Sequence, residues 1–457
     1  MRIILVTCLL VCSSLVSVNA QNTNAEWQQL KKDVDALFKK KQPATGKGGT
    51  SAEEKAANKD ETVKSGGATA DNHVGDLAPG AKSVEADVLL PFNAGAAIIR
   101  KGTATALIDA TGNFIIPFTN GLSINAGKNA GLFIVADAGV QRVINAKGAN
   151  LSAGLTGLSW QFTDDGKLAY AWKSAQQTIY IDANGQKYTT RDGSSEFQEG
   201  LARMSTGGVY GYKKLKDEWA VKPQYTVANP FSGGVAWVGK ADNFGQLKFS
   251  LIDTKGNEII PFSYSIQPTD FLGGLSRVTA KNSAEFAEAY IDRKNKMVVK
   301  RTLQDIVKDG SFSYAGSGFY FGTRSMSPPH LVMDSTGRQV TALEFMQNYG
   351  VRLEASDKSL ALTRPDNVPN KDAGFFYYTR FFKESGKPSY KGRFNIKTKQ
   401  SLEGPFADFS LLDFDPVSRL SYAKISMGSQ NGRTVYREGY MNEAGLFVIV
   451  KAEASAW

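Results

Sequence analysis

From Glu85 to the C-terminus, short apolar runs alternate with turns bearing Asp, Asn and Gly. The two clearest stretches share one plan. Leu107-Ile108-Asp109 is followed by Gly112-Asn113 and by Ile115-Ile116-Pro117-Phe118. Leu251-Ile252-Asp253 is followed by Gly256-Asn257 and by Ile259-Ile260-Pro261-Phe262. Weaker copies are Val143-Ile144-Asn145 with Gly148, Tyr180-Ile181-Asp182 with Gly185, and Tyr290-Ile291-Asp292 with Asn295. Val332-Met333-Asp334 with Gly337 and Tyr440-Met441-Asn442 with Gly445 complete the set. The Asp or Asn recurs at intervals of 36–42 residues, apart from two longer gaps. Tyr210-Gly211-Tyr212-Lys213 and Arg393-Phe394-Asn395 fall inside those gaps as traces of degenerate units, for a total of about nine or ten.

A second element lies between these turns. It reads Phe92-x-x-Gly95-x-Ala97, Phe197-x-x-Gly200-x-Ala202, Phe231-x-x-Gly234-x-Ala236 and Phe271-x-x-Gly274-x-Ser276. The physical reading is a strand ending at Asp, whose carboxylate accepts backbone N–H groups of the next turn, with Gly supplying a positive φ three places on. A return strand follows and ends near a Pro, which cannot donate to a ladder. The Phe-x-x-Gly turn then launches a third strand. One such unit leaves an apolar face bare, and stacking units side by side buries it. The structural turn residues are thus Asp109, Gly112, Asp182, Gly185, Asp253, Gly256, Asp292, Asp334 and Gly337.

The N-terminus has a different texture. Residues 1–20 read as an export signal: Arg2, a mostly apolar run from Ile3 to Val18, and Val18-Asn19-Ala20 before a cut. Residues 21–41 read as a short amphipathic helix, with Trp27, Leu30, Val34, Leu37 and Phe38 at helical spacing. Residues 42–84, without an aromatic, read as a disordered linker, and 85–457 as the repeat domain, clearest over 85–300. Both cysteines, Cys8 and Cys12, lie in the signal, which excludes disulfides and thiol chemistry from the exported chain. No later run is long and apolar enough to span a membrane.

These motifs resemble the WG-repeat (KWG) family, whose units join an Ile-Asp-x-x-Gly turn to Ile-Pro-Phe and Phe-x-x-Gly-x-Ala strands. The chain departs from it in having six Trp but no Trp-Gly dipeptide, so it resembles a divergent, exported member. The resemblance implies repetition and binding rather than a reaction. The expected fold is all-β, a propeller-like array of tandem repeats, with an open β-solenoid as the alternative.

Composition narrows the chemistry. The formal charge is +10, and Lys balances Asp and Glu between Gln21 and Glu85, so the excess lies on the repeat domain. An exported basic surface suits a protein or an anionic polysaccharide, not nucleic acid. Only His73 and His330 exist, too few for a His-based zinc site, and Ser-His-Asp catalysis would have to use His330. No phosphate loop appears, and the repeated Asp offers calcium one carboxylate per unit, so no cofactor or metal is expected. Acid pairs suited to glycoside hydrolysis are Asp164-Asp165 and Asp413/Asp415, both beside turn signals. Trp160, Trp172 and Trp237 are either sugar- or protein-stacking aromatics or core. The expected function is a non-enzymatic binding or scaffold module outside the cytoplasm, periplasmic or extracellular. The alternatives are a carbohydrate-active hydrolase on a propeller and a structural envelope protein. Nothing in the pattern specifies an oligomeric state.

Overall fold

The computed structural model describes residues 74–452 apart from 129, 192, 281–285, 325–326, 365–370 and 408–409. They belong to the compact unit Ala70–Trp457. The export signal, the amphipathic helix and the linker as far as residue 73 lie outside the described residues.

Among the described residues the strands form nine sheets, seven of four strands and two of three. In the first eight, consecutive strands pair antiparallel in sequence order. These blades span 88–120, 123–145, 161–190, 197–225, 227–264, 276–301, 311–341 and 357–404. Blade 9 takes the strands of 421–451 and adds Leu77–Val84 at its outer edge. The unit at 210–213 is the third strand of blade 4, and Arg393-Phe394-Asn395 ends the third strand of blade 8.

A blade has two faces, and both are apolar because both must be covered. The buried side chains accordingly fall into nine clusters, each joining two successive blades. Ile98 and Leu107 of blade 1 meet Phe133 and Val135 of blade 2. Trp237 and Leu251 of blade 5 meet Phe271 and Val278 of blade 6. Tyr440 and Ile449 of blade 9 meet Phe92 and Ile108 of blade 1. That last contact closes the ring. The fold is a nine-bladed β-propeller, and the open solenoid is excluded because its terminal units would not touch. Each large apolar side chain buried in these seams contributes about 1.5–3 kcal/mol.

The residue two places before the turn Asp or Asn (Lys214 in blade 4) points into a seam, and where it is Tyr it also ties the blades together. The Tyr180 hydroxyl donates to the Ser194 carbonyl (2.8 Å) and accepts from the Ser194 amide (2.7 Å). Tyr212 donates to the Asn229 carbonyl (2.6 Å), Tyr290 to that of Phe312 (3.1 Å) and Tyr440 to that of Leu90 (2.6 Å). Burial pushes the Tyr180 phenol up to about 12 and raises Tyr212, Tyr290 and Tyr440 too. They stay neutral donors at any physiological pH. In blade 8 Arg393 takes this position and reaches blade 9 through Ser421 Oγ (2.7 Å) and the Asn442 carbonyl (3.0 Å).

Two elements depart from the expected pattern. Helices α1 (Leu303–Asp309) and α2 (Ala342–Asn348) connect blades 6 to 7 and 7 to 8. A Thr302/Asp305 capping box starts α1, and α2 buries Phe345 and Met346 between blades. The other departure is the linker boundary. Its last part is not a linker: Leu77–Val84 pairs parallel with Phe447–Lys451. Of that strand only Val84 is buried. The ladder itself holds it, with further bonds from the Phe447 amide to the Asp76 carbonyl and from the Ala452 amide to the Val84 carbonyl, both 2.8 Å. Backbone pairing needs no apolar composition, which is why the segment reads as linker. Among the described residues no helix is long and apolar enough to cross a membrane.

Removing residues 74–84 bares the edge of Phe447–Lys451 and uncovers part of the seam between blades 9 and 1. The truncated chain should melt several degrees lower and self-associate in size-exclusion chromatography. An unchanged melting temperature would mean that this strand does not hold the ring shut.

Candidate functional site

The repeated Asp turns are a local device. In each, one carboxylate oxygen accepts the amides two and four residues on. Asp109 binds Thr111 and Asn113 (2.8 and 2.9 Å), and Asp253 binds Lys255 and Asn257 (2.8 and 2.9 Å). Asp182, Asp292 and Asp334 repeat this arrangement. Gly112 and Gly256 follow at φ of 77° and 87°, a conformation that favours glycine. Gly185 and Gly337 take the same place, and blade 6 uses Asn295 there. Burial pulls the Asp109, Asp253 and Asp334 carboxyls up, but the side-chain and amide donors outweigh it and leave all three below the usual range. An Asp242 turn with the same geometry links two inner strands of blade 5 and is missing from the motif reading.

The three candidate aromatics separate. Trp160 and Trp237 are buried, at 3% and 1% exposure, in the seams of blades 2–3 and 5–6. Trp237 Nε1 donates to the Thr269 carbonyl at 3.0 Å. Neither can stack on a ligand: the large indole fills the gap between two sheets. Trp172 is 51% exposed and meets Tyr170 edge-on.

The acid pairs are turn residues. Asp165 accepts from Thr163 Oγ1 (2.7 Å) and the Lys167 amide (3.0 Å) at a hairpin tip. Asp415 is buried and accepts four donors: the amides of Ala94 (2.9 Å), Gly95 (3.0 Å) and Ser418 (2.8 Å), and Ser418 Oγ (2.6 Å). It thereby ties blade 9 to blade 1. Asp413 is half-buried and accepts the Tyr422 amide at 3.1 Å. Desolvation lifts its carboxyl to about 7. Both carboxylates of this pair are thus engaged by internal donors. His330 is half-exposed, with Nε2 3.1 Å from Asp309 Oδ1. Among the described residues no group of His, Cys, Asp and Glu could hold a metal ion.

The Phe-x-x-Gly elements are hairpins whose two turn residues both have positive φ. They are Ala94-Gly95, Glu199-Gly200, Gly233-Gly234 and Gly273-Gly274 in blades 1, 4, 5 and 6, each behind a buried Phe. Such two-residue turns leave both amides unpaired within the hairpin, side by side and ready for an anion. Asp415 fills this place in blade 1. In blade 5, Glu199 of blade 4 accepts from Gly233 (2.6 Å) and Gly234 (2.8 Å). In blade 7, Asp372 accepts from the Ser317 amide (2.9 Å) and the Tyr314 hydroxyl. Sequence reasoning missed this capping role, including that of Asp415, because the carboxylates recur at no fixed spacing. Glu199, inside a Phe-x-x-Gly turn, was the one readable sign.

The strongest candidate for ligand contact is a cleft of about 340 Å³ beside these turns. Its walls come from blade 6 (Asp270, Leu272, Arg277), blade 7 (Tyr314, Tyr320) and the loop of blade 8 (Lys371). The acids nearby are already engaged. Asp270 accepts from Asn229 (2.8 Å), Asp372 is held as above, and the buried Glu288 faces Arg301 at 3.1 Å. Arg277 lies 3.7 Å from that same Glu288 and is 37% exposed. The cleft therefore presents Arg277, Lys371 and tyrosines beside one carboxylate, Asp270, that is already hydrogen-bonded. A second cleft of about 280 Å³ carries Arg364, Tyr378, Phe381 and Lys391 of blade 8.

Residues 210–244 match the family model for the WG containing repeat, so the resemblance carried by the motifs is found independently over that unit. No curated protein matches the sequence. Among solved structures, a eukaryotic initiation factor is similar at 12% identity and a TM-score of 0.43, over 78% of this chain and 97% of that one. BamB from Moraxella catarrhalis is similar at 9% and 0.27, over 70% and 99%. AztD from Citrobacter koseri is similar at 12% and 0.28, over 81% and 94%. The fold rests on the sheet order and the nine seams, not on these likenesses.

Two titrations follow. Asp253→Ala should destabilise the chain by about 1–2 kcal/mol at pH 7, and Asp253→Asn by less, because Asn keeps the acceptor. The carboxyls of Asp109, Asp253 and Asp334 are lowered on folding, so their contribution is present above the unfolded range near 4 and lost as pH falls below it. Asp413 has the opposite sign. Raised to about 7, it makes stability fall as pH rises from about 4 to 7. Asp413→Asn should flatten that part of a denaturation-versus-pH curve, and an unaltered slope would contradict the assignment.

Proposed function

We propose that the chain is a non-enzymatic binding module that engages an acidic partner, a protein or an anionic polysaccharide, outside the cytoplasm. The cleft between blades 6 and 7 carries this reading. Its lining comes from three successive blades, it offers Arg277 and Lys371, and its neighbouring carboxylates are taken up by internal donors. Tyr314 and Tyr320 add apolar area with a polar tip, the composition common at recognition surfaces.

Chemistry on this scaffold has less support. Of the acids best placed by sequence, Asp415 holds blade 9 to blade 1 and Asp413 accepts the Tyr422 amide within blade 9. The apolar run and small-residue cut of 1–20 support export. The net charge of +10 supports an acidic partner.

Immobilised mature chain should capture a partner from the producing cell's envelope in a salt-sensitive manner. Arg277→Gln with Lys371→Gln should weaken capture at least tenfold, equivalent to about 1.4 kcal/mol. Undiminished capture by that double variant would move the contact surface elsewhere. Turnover of an envelope polysaccharide that Asp413→Asn abolishes would replace the reading with an enzymatic one.

A further inference from the structure

The turn amides of blade 6 repeat a carboxylate-binding arrangement from which the carboxylate is missing. In blades 1 and 5 the two adjacent amides of the hairpin turn each bind one oxygen of a carboxylate, at 2.6–3.0 Å, supplied by the preceding blade. The corresponding amides of blade 6 belong to Gly273 and Gly274, whose φ of 63° and 101° resemble the 62° and 80° of Gly233 and Gly234. Both are exposed, and no side chain among the described residues accepts from them. The reason lies one blade back. Blade 4 places Glu199 at the third position of its Phe-x-x-Gly turn, and blade 5 places Gly233 there. The side chain that would reach Gly273 and Gly274 does not exist.

A cation stands beside Gly233, the position from which such a side chain would come. Arg293, in the Asp292 turn of blade 6, is exposed, and its guanidinium donates to the Gly233 carbonyl. A Cβ built on Gly233 would lie 2.7 Å from Arg293 Nη2. Among the described residues Arg293 has no carboxylate partner. Blade 4 has another turn of this kind that no side chain among the described residues caps, at Glu199 and Gly200, but there Leu215 stands where blade 6 has Arg293. Two adjacent turn amides, with a guanidinium at the position where the capping side chain would begin, match a carboxylate better than any neutral group.

We propose that the Gly273, Gly274 and Arg293 slot between blades 5 and 6 binds the side-chain carboxylate of an acidic segment of a partner protein. The partner's Glu or Asp takes the place that Glu199 fills one blade earlier. Protein is favoured over polysaccharide because the slot's two filled counterparts each hold an Asp or Glu side chain. Gly273 sits between Leu272 and Leu275 of the cationic cleft, so a segment anchored here continues past Arg277. The inference rests on the acidic-partner reading above and names the partner's class.

Fluorescence anisotropy of a labelled Glu-rich peptide, with its Gln counterpart as control, tests this on the mature chain. Wild-type protein should bind the Glu peptide and not the Gln peptide. Arg293→Gln should weaken binding at least tenfold. Gly233→Glu supplies the missing carboxylate internally and should abolish binding. Its backbone conformation is one that Glu199 already adopts at φ 53°, and Arg293 is flexible enough to move aside. Melting curves would check that variant's fold, and Arg293→Gln, at an exposed position, stands without it. Equal binding by wild type and both variants would overturn the slot. Binding of polygalacturonate but not the peptide would overturn the protein partner. Envelope capture lost in the Arg277 and Lys371 variant yet intact in both slot variants would overturn the slot and leave the broader reading in place.

Discussion

A short β-sheet with two apolar faces cannot stand alone, and that constraint shapes this protein. Each blade is sealed only when it has a neighbour on either side, so the array must either carry polar caps at its ends or close on itself. It closes. The seam of Tyr440, Ile449, Phe92 and Ile108 is built like the eight others, and Leu77–Val84 pairs with the outer edge left by the last blade. Asp415 adds a polar tie at the inner end of the same seam by capping the turn of Ala94 and Gly95.

The same constraint explains where polar groups are tolerated. In several seams a buried Tyr hydroxyl, or Arg393 in blade 8, is satisfied by a neighbouring blade's backbone or hydroxyl group. These bonds cross blades, so they fix the angular register that apolar packing alone leaves loose. The carboxylates that cap hairpin turns act likewise at the turns between the first two strands of a blade. Interblade polar contacts are therefore part of the scaffold, and what distinguishes a binding surface is a departure from their pattern. The cationic cleft and the unfilled blade 6 turn lie side by side where that pattern breaks.

Much of this was legible in the sequence. Leu107-Ile108-Asp109 and Leu251-Ile252-Asp253 mark strand ends and turns directly, because side-chain alternation and Asx chemistry are local. Lys213 and Lys214 in blade 4 and Arg393 in blade 8 are harder, since a different residue does the same job and the motif dissolves. Leu77–Val84 was unreadable because a backbone ladder leaves no side-chain signature. Trp160 and Trp172 look alike along the chain, yet one fills a seam and the other faces solvent. Which face a strand residue occupies depends on the next blade, not on its own neighbours in sequence. The capping by Glu199, Asp372 and Asp415 was invisible for the same reason, as each pairs a side chain with a turn distant in sequence.

Closure of the ring by the N-terminal strand can be measured directly. The chain has no cysteine after Cys12, so a cysteine pair introduced as Ser83→Cys and Val450→Cys reports on one contact alone. Paired positions on adjacent strands lie within disulfide reach. Oxidation of the double variant, produced from Gln21 onward, should give an intramolecular disulfide in the monomer, detected by faster migration on non-reducing gels and a single bridged peptide in mass spectrometry. Free thiols or only intermolecular bridges after oxidation would contradict the closed nine-bladed ring.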